Sequence, residues 1–252
     1  MSDQNVITVM TAVHAPGKLF LSDAYQSLLK QELPDGWEWQ WVVQEDGQTD
    51  EVSPHIPDDP RISFGQGRAG RAGMARTIAL PRASGSFVRV LDADDQLTSG
   101  ALARDIEVLT QNPHLGWTTS KVLDLLPDGE TRGFDGDPDE GVLERGSVLR
   151  SWQSSNHRSP VHPATLCVRH ELLLALGGWM ALPASEDTGL LLALDAVSQG
   201  WFTAEVGLLY RKWPGQVTAA ASHGDEVEVA ARTAIVEARA LALAKLEWRH
   251  LT

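Results

Sequence analysis

The chain has 252 residues, 42% hydrophobic and 22% charged, an ordinary globular balance and enough length to bury a full α/β core. Acidic residues outnumber basic ones 34 to 21, giving a formal net charge of −13, which excludes the basic face that a nucleic-acid binder needs. The single cysteine, Cys167, excludes an intramolecular disulfide and a thiolate metal cluster, and between Leu166 and Val168 it reads as a small buried apolar residue.

Val6 to Val13 is rich in β-branched residues and reads as a buried strand, broken by His14-Ala15-Pro16-Gly17. A helix is expected from about Leu19 to Gln31, closed by the turn Leu33-Pro34-Asp35-Gly36. Trp37, Trp39 and Trp41 alternate with Glu38 and Gln40, which is strand periodicity, and the strand ends at Glu45-Asp46-Gly47. Ser53 to Pro60 is a proline-rich loop, Ile62-Ser63-Phe64 a short strand, and Gly73 to Leu80 a helix. Phe87 to Leu91 is a strand running straight into Asp92, followed by a helix from about Ser99 to Gln111. Alternating strands and helices argue for a mostly parallel sheet with helices on its faces, whose ligands bind beyond the carboxyl ends of the strands. Asp46 and the cluster at Asp92 each follow a strand and should face one crevice.

The second half is less regular. Trp117 to Leu126 reads as a strand leading into an acidic, solvated loop over Pro127 to Gly146. A strand is expected at Thr165 to Val168, a helix at Glu171 to Leu176, a helix from about Glu186 to Gln199 and a strand from Phe202 to Tyr210. Asp225 to Arg249 is helical in composition, with Val229, Val236, Ala240, Leu243 and Leu246 on one side and Thr233 filling the gap after Val229. That stripe packs on the domain or, as the weaker alternative, forms a homodimer interface. No apolar run approaches the ~20 residues that span a bilayer, and the N-terminal segment lacks the blocks of a signal peptide. A soluble cytoplasmic protein is expected.

The strongest chemical feature is Val90-Leu91-Asp92-Ala93-Asp94-Asp95. Three carboxylates within four positions after a buried strand repel one another unless a positive group sits among them. Hard oxygen donors of this kind suit Mg²⁺ or Mn²⁺, which share their remaining sites with water and phosphate oxygens. An acidic turn that caps the next segment is the competing reading.

The opening run Val6-Ile7-Thr8-Val9-Met10-Thr11, the turn Glu45-Asp46-Gly47-Gln48-Thr49-Asp50 and Leu91-Asp92-Ala93-Asp94-Asp95 together resemble the family-2 glycosyltransferases of the GT-A fold. Between the last two, Gly70 to Arg76 looks like the family's glycine-rich stretch ending in Ala-Arg-Asn, with Thr77 in place of Asn. The resemblance covers Val6 to Leu102 well and the rest more loosely. It implies a Rossmann-like, mostly parallel sheet with helices on both faces and a C-terminal helix. Residues 1–112 would form the nucleotide-sugar half, 113–224 the acceptor and catalytic-base half, and 225–252 the closing helix of one domain.

By that resemblance Asp46 would hydrogen-bond the nucleotide base, with Ala12 and Val13 lining the same pocket. Asp92 or Asp94 would contact the ribose, and Ala93 between them belongs to the nucleotide site. Asp94, and after it Asp95, would hold the metal; because the cluster reads Asp-Ala-Asp-Asp, the family's register lies on it in two ways. Arg76 matches the phosphate-facing arginine, whereas Arg68 and Arg71 are more often plain surface charges. Glu186-Asp187 matches the family's acidic pair, with Asp187 as the catalytic base, although Ser185-Glu186-Asp187 is also ordinary helix-start chemistry. His162 and Trp179 would shape the acceptor side; Trp179 is equally readable as core. Tyr210-Arg211-Lys212-Trp213 resembles a late Tyr-Arg-x-His element, so Arg211 and Lys212 would contact the diphosphate, while Trp213 stands where a metal-binding His often lies, unless His223 substitutes.

The expected function is therefore an inverting, metal-dependent hexosyltransferase that moves a sugar from a nucleotide-sugar, UDP favoured over dTDP or GDP, to the hydroxyl of a small molecule or glycan. A non-catalytic sugar-nucleotide-binding protein on the same fold is the alternative. A nucleotidyltransferase is the weaker third, since His14-Ala15-Pro16-Gly17-Lys18 is a poor phosphate loop.

Overall fold

Strand β1 (Val6–Val13) is buried almost throughout, which is why its sequence is a continuous apolar and β-branched run with no polar alternation. It pairs in parallel with β2 (Glu38–Asp46), Val6 opposite Glu38 through Val13 opposite Glu45, and on its other side with β4 (Phe87–Val90). β3 (Ile62–Gly67) continues the parallel run beyond β2. The structure, a computed structural model, describes residues 5–216 and 224–246.

β6 (Leu115–Leu125) and β10 (Gln199–Arg211) form a second long parallel pair. Between the two blocks lies β9 (Cys167–Arg169), antiparallel to both β4 and β6. With β5 (Gln96–Leu97) at the far edge, the order is β3-β2-β1-β4-β9-β6-β10-β5; β7 (Thr131–Arg132) and β8 (Gly141–Leu143) pair beside β6 and β10. The antiparallel pairings span two or three residues each, so the sheet is mostly parallel by length.

Alternate side chains of the central strands feed two cores. Ile7, Val9, Trp39 and Trp41 pack with α1 (Leu21–Leu29) and α3 (Ala101–Gln111). Met10, Val42, Val88 and Val90 face the other way, into a core completed by α2 (Arg71–Ala79), α4 (Ser147–Ser154), α5 (His170–Ala175), α6 (Glu186–Val197) and α7 (Glu226–Ala244). The fold is thus α/β with helices on both faces of the sheet, as expected. Thr11 ties the centre together: its hydroxyl donates to the Leu91 carbonyl at 2.7 Å and accepts the Trp41 indole N–H at 2.8 Å.

Several local expectations shift. Ala15–Phe20 forms a 3₁₀ turn, and the α-helix proper starts only at Leu21. The acidic loop contains β7 and β8, and α4 follows it directly; Val148, Leu149 and Trp152 are too few to show a period, yet they fill the core. On α7, Val236 and Ala240 are buried and Leu243 packs against them, whereas Val229 and Leu246 are 38% and 55% exposed. Arg232, buried and paired with Glu228 at 2.9 Å, takes the inward position in the first turns. Residues beyond 246 in the expected tail helix, and His223, lie outside the described residues.

One ionic pair is deep in the core. Arg89 on β4 is fully buried and lies 3.6 Å from Asp105 of α3, which also accepts the Thr118 hydroxyl at 2.6 Å. Burial raises the Asp105 pKa, and Arg89 and Thr118 oppose the rise. Removing one member of such a pair strands the other. Asp105→Ala should therefore cost about 3–5 kcal/mol in urea denaturation; a loss under about 1 kcal/mol would mean the guanidinium needs no partner there.

Candidate functional site

Because β1, β2 and β4 run the same way, their carboxyl ends share one edge of the sheet. The chain winds outward from β1 to β2 and β3 on one side and returns to β4 on the other, so a crevice opens at that edge. A cleft of about 360 Å³ occupies it, within the range of small-molecule sites. Its walls bring together Ala12 and Val13 from β1, Asp46 from β2, Asp92, Ala93 and Asp94 from the turn after β4, Arg76 from α2, Glu186 and Asp187 from the first turn of α6, and His162.

Asp46 is half-buried, and its carboxylate accepts the backbone N–H of Gly70 at 2.6 Å and of Arg71 at 3.0 Å. These are orphan donors of the α2 start, so Asp46 caps the helix from across the cleft. Glu45 holds the turn behind it, accepting the Thr49 N–H at 3.0 Å, the Thr49 hydroxyl at 2.6 Å and the Gln66 amide at 2.8 Å. Burial would raise the Glu45 pKa, but those bonds outweigh it and the net shift is downward.

The acidic cluster splays apart. Asp92 pairs with Arg76. Asp94 accepts the Trp213 indole N–H at 2.6 Å. Asp95 is fully buried, accepts the Arg211 backbone N–H at 2.9 Å and is not on the cleft wall. Burial and the charge of Asp92 raise the Asp94 pKa against the pull of Trp213, and burial with both neighbours raises Asp95 well above the usual carboxylate range. Among the described residues, no three His, Cys, Asp or Glu side chains gather as a ready metal cage.

On the other wall Glu186 accepts from Arg76 at 3.0 Å, and Asp187 accepts the Thr188 N–H at 2.6 Å. Ser185, just before them, has φ 64°, the left-handed region that a non-glycine residue occupies at a cost. Burial raises both carboxyls; Asp187 adds to the rise of Glu186, and Arg76 opposes it for each. Burial disfavours the Arg76 charge too, but Asp92, Glu186 and Asp187 outweigh it and its pKa rises.

The α2 helix makes this close approach possible. A Cβ on Gly73 would sit 2.4 Å from the Met180 carbonyl and 2.9 Å from the Glu186 side chain. Thr77, the departure from Ala-Arg-Asn, accepts the Trp179 N–H and donates to the Trp179 carbonyl, both at 3.0 Å. Its hydroxyl thus pins the segment leading to α6.

Other expected site residues lie elsewhere. Trp179 is 4% exposed and packs in the core, with the Arg76 guanidinium 5.8 Å from its ring. Arg211 donates to Asp23 at 2.6 Å and to the Asp94 carbonyl at 2.8 Å, above the Phe20 ring, and Lys212 pairs with Asp124 at 3.2 Å. Neither is on the cleft wall. His162 lies on it, tilted against Tyr210 at 4.9 Å, and burial lowers its pKa, so the ring is neutral at pH 7. The cleft also draws on His14, Arg71, Ser185 and Gln216. For Arg71 the signal was its place in the arginine-bearing stretch; Gln216 carried none.

The raised Asp187 pKa has a thermodynamic consequence. A carboxyl whose pKa is higher folded than unfolded contributes stability at low pH that is lost as the pH rises through the folded value. Asp187→Asn, which cannot ionise but still accepts the Thr188 N–H, should gain about 1 kcal/mol over the parent at pH 7. At pH ~4, closer to where the parent carboxyl takes up its proton, the gain should be smaller. Thermal melts at the two pH values check this, and an equal difference at both would contradict the raised pKa.

No protein-family model and no curated protein sequence matches the chain. Solved structures do. S. aureus TarS 1-349 in complex with UDP-GlcNAc aligns with a TM-score of 0.74 at 20% identity, over 96% of this chain and 68% of that one. TarS 1-349 in complex with UDP gives 0.68 at 17% identity, over 96% and 67%. A longer S. aureus TarS chain gives 0.68 at 16%, over 97% of this chain and 40% of TarS. The chain thus spans about two thirds of TarS 1-349 and 40% of the longer protein. At these identities the likeness is one of fold: the chain shares the Rossmann-like α/β fold of the TarS structures.

Proposed function

We propose that the protein is an inverting glycosyltransferase of family 2, hexosyltransferase in type, that moves a sugar from a UDP-sugar to an acceptor hydroxyl. The observation that carries this reading is the meeting, in one cleft at the carboxyl edge of the sheet, of Asp46, Asp92 and Asp94 with the Glu186-Asp187 pair, Arg76 lying between them. The like-folded TarS holds UDP and UDP-GlcNAc, which supports the donor class.

In this reading residues 1–112 seat the donor, 113–224 the acceptor, and 225–252 close the domain. Ala12, Val13 and Asp46 receive the base. Asp92 and Ala93 meet the ribose. Arg76 turns from Asp92 to the diphosphate, with Arg211 and Lys212 reaching it only by leaving Asp23 and Asp124. The neutral His162 faces the acceptor, and Trp179 supports that side from behind Arg76.

A Mn²⁺ or Mg²⁺ ion belongs to the same proposal. Such ions take one or two protein carboxylates and complete their shell with phosphate oxygens and water. The residues fit: Asp94 faces the cleft beside a second, like-charged carboxylate, with Asp95 behind it. When bound, the ion would neutralise charge on the departing diphosphate.

Asp187 then takes the proton from the acceptor hydroxyl as that oxygen forms a bond to the anomeric carbon. The bond from that carbon to the phosphate oxygen breaks on the opposite face, the nucleoside diphosphate leaves with the electron pair, and one displacement inverts the centre. Burial suits Asp187 to this work by raising its affinity for the proton it must accept. A cytoplasmic location is part of the proposal; no helix among the described residues is long and apolar enough to cross a membrane.

Calorimetry with UDP, GDP and dTDP, with Mn²⁺ and then with EDTA, tests the donor side. UDP should bind with Mn²⁺ and lose most affinity in EDTA; Asp94→Ala should abolish that difference, and Asp46→Ala should weaken UDP about tenfold. Asp187→Asn should keep UDP binding and lose about 10²–10⁴-fold in transfer, read as UDP release from the UDP-sugar. Tight binding with no turnover by the parent protein would instead make it a non-catalytic sugar-nucleotide-binding protein.

A further inference from the structure

A second cavity, of about 610 Å³, opens at the other end of the sheet, against Leu33, Trp37, Glu38, Trp39, Pro60 and Arg61. Trp39 and Asp46 stand seven residues apart on β2, about 23 Å of strand, so this groove and the cleft lie at opposite edges. Nothing in the proposed reaction uses it.

The groove is built and not merely left over. Trp37 is half-buried, stacked on Phe87 with ring centroids 5.4 Å apart and planes at 9°. Phe87 is itself buried, so the exposed part of the indole is its other face and edge. Arg61 is exposed yet fixed: Asp59 receives its Nε at 3.0 Å and its Nη2 at 2.6 Å, and the guanidinium lies 3.6 Å over the Trp39 ring. The Tyr25 hydroxyl donates to Asp59 at 2.8 Å and anchors the fork from below. Those bonds, with the Arg61 contact foremost, hold the Asp59 carboxyl well below its usual pKa. Gln31 closes the floor, its amide donating to the Ser27 and Thr98 carbonyls and accepting from Leu102 N–H. The guanidinium carries five N–H donors, of which Asp59 receives two, so others remain at the exposed rim of the groove.

We propose that this groove binds a pyranose unit of a neutral glycan. An aromatic face beside an immobilised donor matches a ring that is apolar on one side and hydroxylated at its rim. Charge narrows the choice further. The Arg61 cation is already matched by Asp59 and the chain carries a net charge of −13, so an anionic glycan is disfavoured. The purpose of such a site, holding a glycan acceptor while its end is modified in the cleft, rests on the glycosyltransferase reading; the binding itself does not. Two weak sites on one extended ligand raise its effective concentration without any new contact in the cleft.

The test is NMR of the full chain with ¹⁵N-labelled tryptophan, titrated with chitotriose, cellotriose and maltotriose. The indole signals of Trp37 and Trp39 should move with at least one of them, with a Kd on the order of 1 mM. Trp37→Ala should abolish the movement of the Trp39 signal. Arg61→Gln, a change at the exposed rim, should weaken binding about fivefold. Saturating UDP should leave the titration unchanged. Silence of both signals with all three sugars overturns the proposal, as does movement that UDP abolishes or an affinity unchanged in both variants. If UDP fails to bind while the two signals still respond, the glycosyltransferase reading falls and this one stands.

Discussion

Five carboxylates crowd the carboxyl edge of the sheet: Asp92, Asp94 and Asp95 after β4, and Glu186 and Asp187 at the head of α6. Carboxylates this close and this buried would resist ionising together, and four of them have raised pKa values for that reason. What lets the two groups share one cleft is a single buried guanidinium, Arg76, in contact with Asp92 on one wall and Glu186 on the other. The remaining acids are divided among neutral donors: the Trp213 indole for Asp94, the Arg211 backbone for Asp95, and the Thr188 backbone for Asp187.

The α2 helix is the part on which this arrangement hangs. Gly73, Arg76 and Thr77 are spaced i, i+3 and i+4, so they share one face. That face meets the segment from Trp179 to Glu186 three times: by the absence of a side chain, by an ion pair and by a pair of hydroxyl hydrogen bonds. Asp46 fixes the same helix at its start. A helix held at its start, middle and end acts as a spacer of set length between the end of β2 and the start of α6. This explains why Thr serves at position 77: a short side chain with both a donor and an acceptor can bridge one residue's N–H and carbonyl.

Parallel strands also separate the chemistry of the two edges. Side chains at the carboxyl edge are acids, while the amino edge of β2 presents Trp37 and Trp39 with Arg61 lying on the latter. The rigid sheet between them, buried on both faces, keeps the two regions at a fixed distance, and that is a property of the fold rather than of either region alone.

The sequence alone determined the elements with a strong local signal. The β-branched run of β1, the tryptophan alternation of β2 and the strand that runs into Asp92 are legible because burial on a sheet imposes a composition on consecutive residues. Once parallel strands are inferred, their carboxyl ends must share an edge, so the common location of Asp46 and Asp92 follows from topology. Tertiary structure decided what has no local period. The antiparallel β9 that joins the two parallel blocks is three residues long, and α4 shows only three inward side chains; neither length carries a pattern. Nor does spacing tell where a side chain points once its strand has ended. Asp94 and Asp95 are adjacent in sequence, yet one faces the cleft and the other a backbone N–H, and Trp179 beside two glycines turns inward to the core. Those directions are set by partners more than a hundred residues away, Arg211 and Trp213 for the cluster and Glu186 for Arg76, and such partners meet only when the whole sheet has closed.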